Sequence, residues 1–435
     1  MDKFAPLARA SRASVFDWRF EHLLNAPHRL AFTAAAAVLA FSGLWWATAV
    51  LSSSEGLAVR WALSPSLAHS VVMTFGFMPL FFTGFLFTAG PRWLSLPPVE
   101  ARTLLPHLLP IVSGWVVFLL SAHGRDPAFG HAIGSIGLGA VTLGWIGISR
   151  RFTALVRASR ETDTVHARIV AAGCIVGAAA LCVCVFGLAT ADDVLVRAAT
   201  RVSLWAFIGL VFAAVSHRMI PFFSAAAVPV LDAWRPRWLL WAFCTVLAIE
   251  GLLSIADVLA WRPSDPARAT IAFAELAAGV CLVALAVRWG QLHSLRLRLL
   301  AMLHVGFTWL GIGLILSGAS RWLGDAADPT GLLGLAPLHA YTMGFLGSTM
   351  FAMVTRVSSG HGGRTVAADG FIWRLFWVLQ LAIVSRVAAS TIAGPSSWSV
   401  ALLVSAAVGW AGVSLAWSLR YGTWFGTPRP DGRSG

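Results

Sequence analysis

The sequence predicts an all-α, polytopic membrane bundle of twelve transmembrane helices, and three observations carry that prediction. Of 435 residues, 58% are hydrophobic and only 12% are charged, about half the charged share of a soluble domain. The mean hydropathy is +0.76, and the apolar residues come in blocks of about twenty, the length that crosses a bilayer core. Basic residues also alternate from side to side: 24 of the 32 lie in or beside the segments on the amino-terminal side, leaving eight for the other. The positive-inside rule then puts both termini in the cytoplasm. No connection exceeds about twenty residues, so no soluble domain is present to carry chemistry.

In order, the expected spans are 30–52, 67–89, 103–121, 129–149, 167–190, 196–220, 237–258, 269–287, 299–319, 333–355, 371–392 and 398–419. A single membrane domain thus covers 30–420, flanked by cytoplasmic segments 1–29 and 421–435. The amino-terminal segment has five positive charges and no clear cleavage site, so it reads as an uncleaved anchor. The net charge of +13 comes from 31 Arg and Lys3 scattered between spans. No basic run interleaves with aromatics, which argues against nucleic acid as a partner. Most of the 21 Trp lie near span ends, as an interfacial belt requires. Cys174, Cys182, Cys184, Cys244 and Cys281 all fall in apolar segments without zinc spacing and read as packing residues.

The second and tenth spans share a pattern. His69 and Met73 are four apart, as are His339 and Met343, so each pair lies on one helix face. Gly76 and Gly347 follow near the same face, where a small residue lets a flat group or another backbone come close. An intramembrane histidine is costly enough to demand a partner. Both helices run in the same direction, so the two imidazoles could clasp one haem iron from opposite sides. Helix packing, with each imidazole bonded to a neighbouring hydroxyl or carbonyl, is the competing explanation.

Other polar groups rank lower. His304 lies about 8–10 Å into the ninth span at 1.5 Å per residue and is the third candidate. His217 and Arg218 close the sixth span, and His22, His28, His107, His166 and His293 are expected at the surface. Glu250 and Glu275 could bond a histidine, pair with an arginine, relay protons or sit at the interface near Arg262 or Arg268; Arg386 could pair with one of them or with a haem propionate. No Walker loop, GxSxG, HExxH or CxxCH occurs, so any haem is held non-covalently.

Three motifs, GFLFTAGPRW (84–93), HRMIPFFS (217–224) and MVTRVSSGHGGR (353–364), together with the two histidines, resemble the NnrS family over nearly the whole chain. The resemblance implies a bacterial inner-membrane protein that binds haem b and copper and serves the response to nitric oxide and nitrosative stress. It makes His69 and His339 the expected axial ligands. His304, His361, Met73 and Met343 are the open options for copper, thioethers favouring Cu(I). Arg356, Arg364 and His361 are expected as a polar cluster at the cytoplasmic end. Arg92 and the Gly362–Gly363 pair depart from the family pattern without removing a candidate ligand. Twelve spans with histidines on the second and tenth are also similar in topology to the catalytic subunit of haem–copper oxidases, although the copper-site histidines of the sixth and seventh spans have no counterpart. A secondary transporter or permease for a small metabolite or metal is the alternative. A metal-free scaffold is the third reading. No catalytic motif marks the chain as an enzyme, and neither the redox partner nor the number of haems can be read from it.

Overall fold

The computed structural model describes residues 18–432 apart from 58, 229, 262, 325–332, 393 and 395. Much of the amino-terminal segment, including Lys3, and Arg262 therefore lie outside the described residues.

Among the described residues twelve long helices carry the fold: α1 (Pro27–Ser54), α2 (Pro65–Thr88), α3 (Ala101–Ser121), α4 (Pro127–Ala158), α5 (Val165–Ala189), α6 (Asp193–Ala227), α7 (Arg237–Val258), α8 (Asp265–Arg288), α9 (Arg298–Leu323), α10 (336–361), α11 (Gly370–Thr391) and α12 (Ser397–Phe425). Several overrun the expected spans by a turn or more. Eleven are long and apolar enough to cross a membrane by length and composition. The exception is α10, the helix of His339. Its polar groups need no lipid, because nearly all of 344–355 is buried in protein.

Burial separates the helices into inner and outer members. In α2, 83% of the most apolar window is buried, and in α6 and α9 67%; α3, α7, α8 and α11 reach 33%, and α12 28%. The outer helices present Leu109, Val116, Leu143, Leu252, Phe273 and Leu381 outward, as a lipid-facing surface requires. Most consecutive helices pack side by side, α2 with α3 and α7 with α8 being the exceptions, and α12 returns against α1 to close the bundle. Trp18 and Arg19 bond Gly422 and Gly426, so the two described ends meet at one face. We call this the terminal face and the opposite one the far face.

Three inner helices depart from regular α geometry. In α2, Gly76 (φ −74°, ψ −84°) separates two helical halves. Pro79 is the cause: it has no N–H for the Phe75 carbonyl. A Cβ on Gly76 would lie 2.4 Å from the Val72 carbonyl oxygen. In α6, Leu204–Gly209 forms a widened π turn, and in α10 Ala340–Gly347 does the same. The interruptions fall on every fourth helix. Such turns free backbone groups and concentrate at functional sites.

Candidate functional site

His69 and His339 both lie in the opening turns of their helices, toward the far face. His69 stacks on Trp46 of α1, with centroids 3.8 Å apart at 25°. Its Nδ1 is buried without a hydrogen-bond partner. The His339 Nδ1 lies 2.9 Å from the Leu335 carbonyl oxygen. A carbonyl only accepts, so Nδ1 carries the proton and Nε2 keeps its lone pair. Neither Nε2 has a partner among the described residues. The two histidines and Arg386 of α11 stand within electrostatic reach of one another, and Arg201 of α6 reaches His339.

Arg386 answers its own sequence question. It pairs with neither glutamate and has no carboxylate partner among the described residues. Ser390 Oγ accepts from its NH1. A guanidinium held inside a membrane protein without a counter-ion is costly. Open imidazole nitrogens beside an unpaired cation suit a metal group that carries carboxylates.

The glycines and methionines support this level of the bundle. A Cβ on Gly347 would come within 3.2 Å of the Trp410 ring, and one on Gly43 within 3.4 Å of it. The flat group expected beside Gly347 is therefore the α12 indole, wedged between α1 and α10. Its Nε1 is buried without an acceptor. Met73 and Met343, one turn from their histidines, are half-buried against the core.

At the terminal face the three motifs close on one another. Arg218 lies over Trp93 at 5.1 Å, and Arg356 over Phe223 at 3.9 Å. Arg92 stands within electrostatic reach of His361. The last contact of His361 is unexpected: its ring lies 4.8 Å from that of His28. His28 was placed at the surface from sequence, but it is 2% exposed and its Nδ1 is buried without a partner. The chain covers it because Arg29, also 2% exposed, donates to the Phe425 and Thr427 carbonyls and draws the end of α12 over the start of α1. The expected cluster is thus divided. His361 meets His28, Arg356 meets Phe223, and Arg364 lies 4.2 Å over Trp424.

The turn after α10 is a Schellman motif. Arg364 N–H bonds the Ser359 carbonyl, Gly363 N–H bonds that of Gly360, and Gly363 takes φ +66°. That geometry accounts for the GHGGR ending locally.

His217 and His304 are engaged by protein groups. His217 Nε2 meets the Pro236 carbonyl at 3.1 Å and must donate. Its Nδ1 therefore accepts, at 3.0 Å, from Nε2 of His166, which was also expected at the surface. Both His217 ring nitrogens are occupied, so it acts in packing α5 and α6 together. His304 is fully buried, with Nε2 2.9 Å from Ser224 Oγ and Nδ1 without a partner. No group of three or more His, Cys, Asp and Glu gathers at metal-binding distance among the described residues. The five cysteines are unpaired. Cys182 is exposed and Cys184 buried, as their two-residue spacing requires.

The fold and this arrangement define a polytopic helical membrane protein whose inner helices bring imidazoles and arginines together near both faces. The chain belongs to the NnrS family: the family model described as NnrS protein matches residues 22–429. No curated protein matches it.

Proposed function

We propose that this is a haem-binding protein of the bacterial inner membrane that protects against nitric oxide, with both termini cytoplasmic and the far face outward. The observation that carries the reading is the pairing of two open Nε2 atoms, on His69 and His339, with the unpaired Arg386. His69 and His339 would bind a haem b iron, Trp46 and the Leu335 carbonyl would hold the two rings in orientation, and Arg386 and Arg201 would face its carboxylates. Bound there, the haem would supply one-electron chemistry. With His69 and His339 both bound, the haem would suit electron transfer or sensing, and a nitric oxide ligand would need an open metal position elsewhere.

Copper is assigned to the terminal face. Of the four copper candidates, His361 is the one with a second imidazole beside it, that of His28. Two nitrogen donors without carboxylates suit a late transition metal rather than Mg²⁺ or Ca²⁺.

A transporter also tolerates interrupted helices, but those pair between two halves. Here the interruptions recur three times, four helices apart, which favours three arcs of four helices as in haem–copper oxidases.

Absorption spectra of the full chain purified from membranes test the haem assignment. A Soret band that is lost in His69→Ala and in His339→Ala is expected. No band, or one that both variants keep unchanged, refutes it. Copper bound by the purified chain should drop in His28→Ala and His361→Ala while the Soret band stays; equal copper in both variants would move the metal elsewhere.

A further inference from the structure

Three carboxyl groups gather around one guanidinium where residues of α7, α8 and α9 meet near the far face, and two of them take its donors. Arg321 Nε donates to Glu275 Oε1 at 2.9 Å, and its NH1 and NH2 reach Asp257 at 3.4 and 3.2 Å. Arg321 therefore spends its donors on Asp257 and Glu275. Glu250, the third carboxyl, is 6% exposed, and Glu275 is 4% exposed. The second oxygen of Glu275, Oε2, is buried and receives no N–H or O–H from the protein. The carboxyl of Glu250 stands within interaction distance of the Glu275 carboxyl.

Two ionised carboxylates are acceptors only and cannot satisfy each other. In a low-dielectric interior their repulsion also goes unscreened. One proton between them removes both costs, since a carboxylic acid donates to the neighbouring carboxylate. The surroundings leave that as the simplest solution. From α7 the pair is faced by Asp257, from α9 by Arg321 and from α10 by Tyr341, while Arg201 of α6 faces Asp257. Arg268 of α8 is taken up by Asp265 and by the Arg321 and Gly324 carbonyls.

We propose that Glu250 and Glu275 form a proton-binding site inside the bilayer, filled from the far face by way of Asp257. The Asp257 side chain is 44% exposed and marks the aqueous end. Glu250 marks the inner end, beside Tyr341, whose hydroxyl bonds the widened turn of α6. Filling the site adds one proton from water to one carboxylate oxygen; a single O–H bond forms, and nothing is oxidised or reduced. The proton's charge thus arrives next to the helix that carries His339.

Infrared spectroscopy of the full chain in membranes reads this directly and does not depend on haem. At about pH 7 the wild type should show a carboxylic-acid carbonyl band that shifts in D₂O. Glu250→Gln should abolish the band while keeping the fold, because the amide N–H can donate to Glu275 Oε2. Asp257→Asn should keep the band but slow its response to D₂O. A folded wild type without the band, a band that survives in Glu250→Gln, or one that Na⁺ removes at constant pH overturns the proposal. A missing Soret band would leave it standing.

Discussion

The Tyr341 hydroxyl donates to the Leu204 carbonyl at 2.8 Å, and its ring stacks on Trp205 with centroids 3.9 Å apart and planes 8° apart. Tyr341 belongs to the widened turn of α10, and Leu204 opens that of α6. A π turn shifts the backbone register and frees a carbonyl, and here a side chain from the other such turn takes it. The two distortions stabilise each other, and they fix the direction from which α10 presents His339.

Tyr341→Phe should therefore destabilise the fold while leaving the stack in place. Removing the donor strands a buried carbonyl, at a cost of about 1–3 kcal/mol. Thermal unfolding in detergent, followed by tryptophan fluorescence, should show a lower midpoint than wild type. An unchanged midpoint would mean that the Leu204 carbonyl keeps another partner.

Gly347→Leu tests the wedge of Trp410 between α1 and α10. Even a single Cβ would stand 3.2 Å from the indole, so a full side chain must displace it. Overpacking of this kind costs about 1–3 kcal/mol. The variant should lose stability and shift tryptophan emission. If Trp410 moves freely, neither will change.

Gly363→Ala should shorten the life of the Schellman turn. At φ +66° a Cβ is strained, and it would approach the Asp431 carboxylate at 2.8 Å. Strain at such a position costs about 1–3 kcal/mol. Gly422→Ala is the matched control, since nothing lies within 4 Å of its Cβ. Comparable proteolysis of the two variants between α10 and α11 would contradict the assignment.

Asp369, just before α11, gives the pH dependence a sign. Partial burial raises its pKa, but hydrogen bonds from Arg420 and the Ile372 N–H lower it further, so its carboxyl lies below the ordinary range. A group depressed on folding stabilises above its unfolded pKa, about 3.9, and that contribution is lost as pH falls through and below this value. The carboxylate of this pair is half-exposed, and solvent screening limits it to about 0–1 kcal/mol. Asp369→Asn keeps a capping side chain and removes the charge. Its stability should fall less steeply in acid than that of wild type.

The helices were legible in the sequence because each apolar block has crossing length, and their order because basic residues mark one side. The local chemistry of α2 and α10 was legible too: a histidine in an apolar run stands out by cost alone. What the sequence hid was which side of an apolar helix meets protein and which meets lipid, since both are written in the same residues. His28 shows the limit. It sits at a helix start flanked by Arg29, as a surface residue would, and only the return of α12 buries it. For Glu275 the sequence leaves a histidine, an arginine or an interfacial position open; folding selects the arginine, Arg321, 46 positions along the chain. The three motifs were visible as separate strings; their contacts at the terminal face depend on packing between α2, α6 and α10.

Arg386 offers the sharpest test of what the far-face histidines hold. If its role were to satisfy another side chain, a carboxylate would be expected beside it, and none is present among the described residues. The pairing it lacks would be supplied by an anionic group bound between His69 and His339. Arg386→Gln should then weaken retention of haem during purification without removing either imidazole, lowering haem affinity, and with it the Soret absorbance per protein, by about tenfold or more if one charged hydrogen bond of roughly 1.5–3 kcal/mol is lost. Arg386→Lys should recover part of that loss, because it restores the charge but not the planar fork. The protein without haem should behave in the opposite way: relieved of an unpaired, half-buried cation, Arg386→Gln should melt higher than wild type. A variant that retains haem fully and melts lower would instead make Arg386 a structural residue, tied to Ser390 and to the packing of α11.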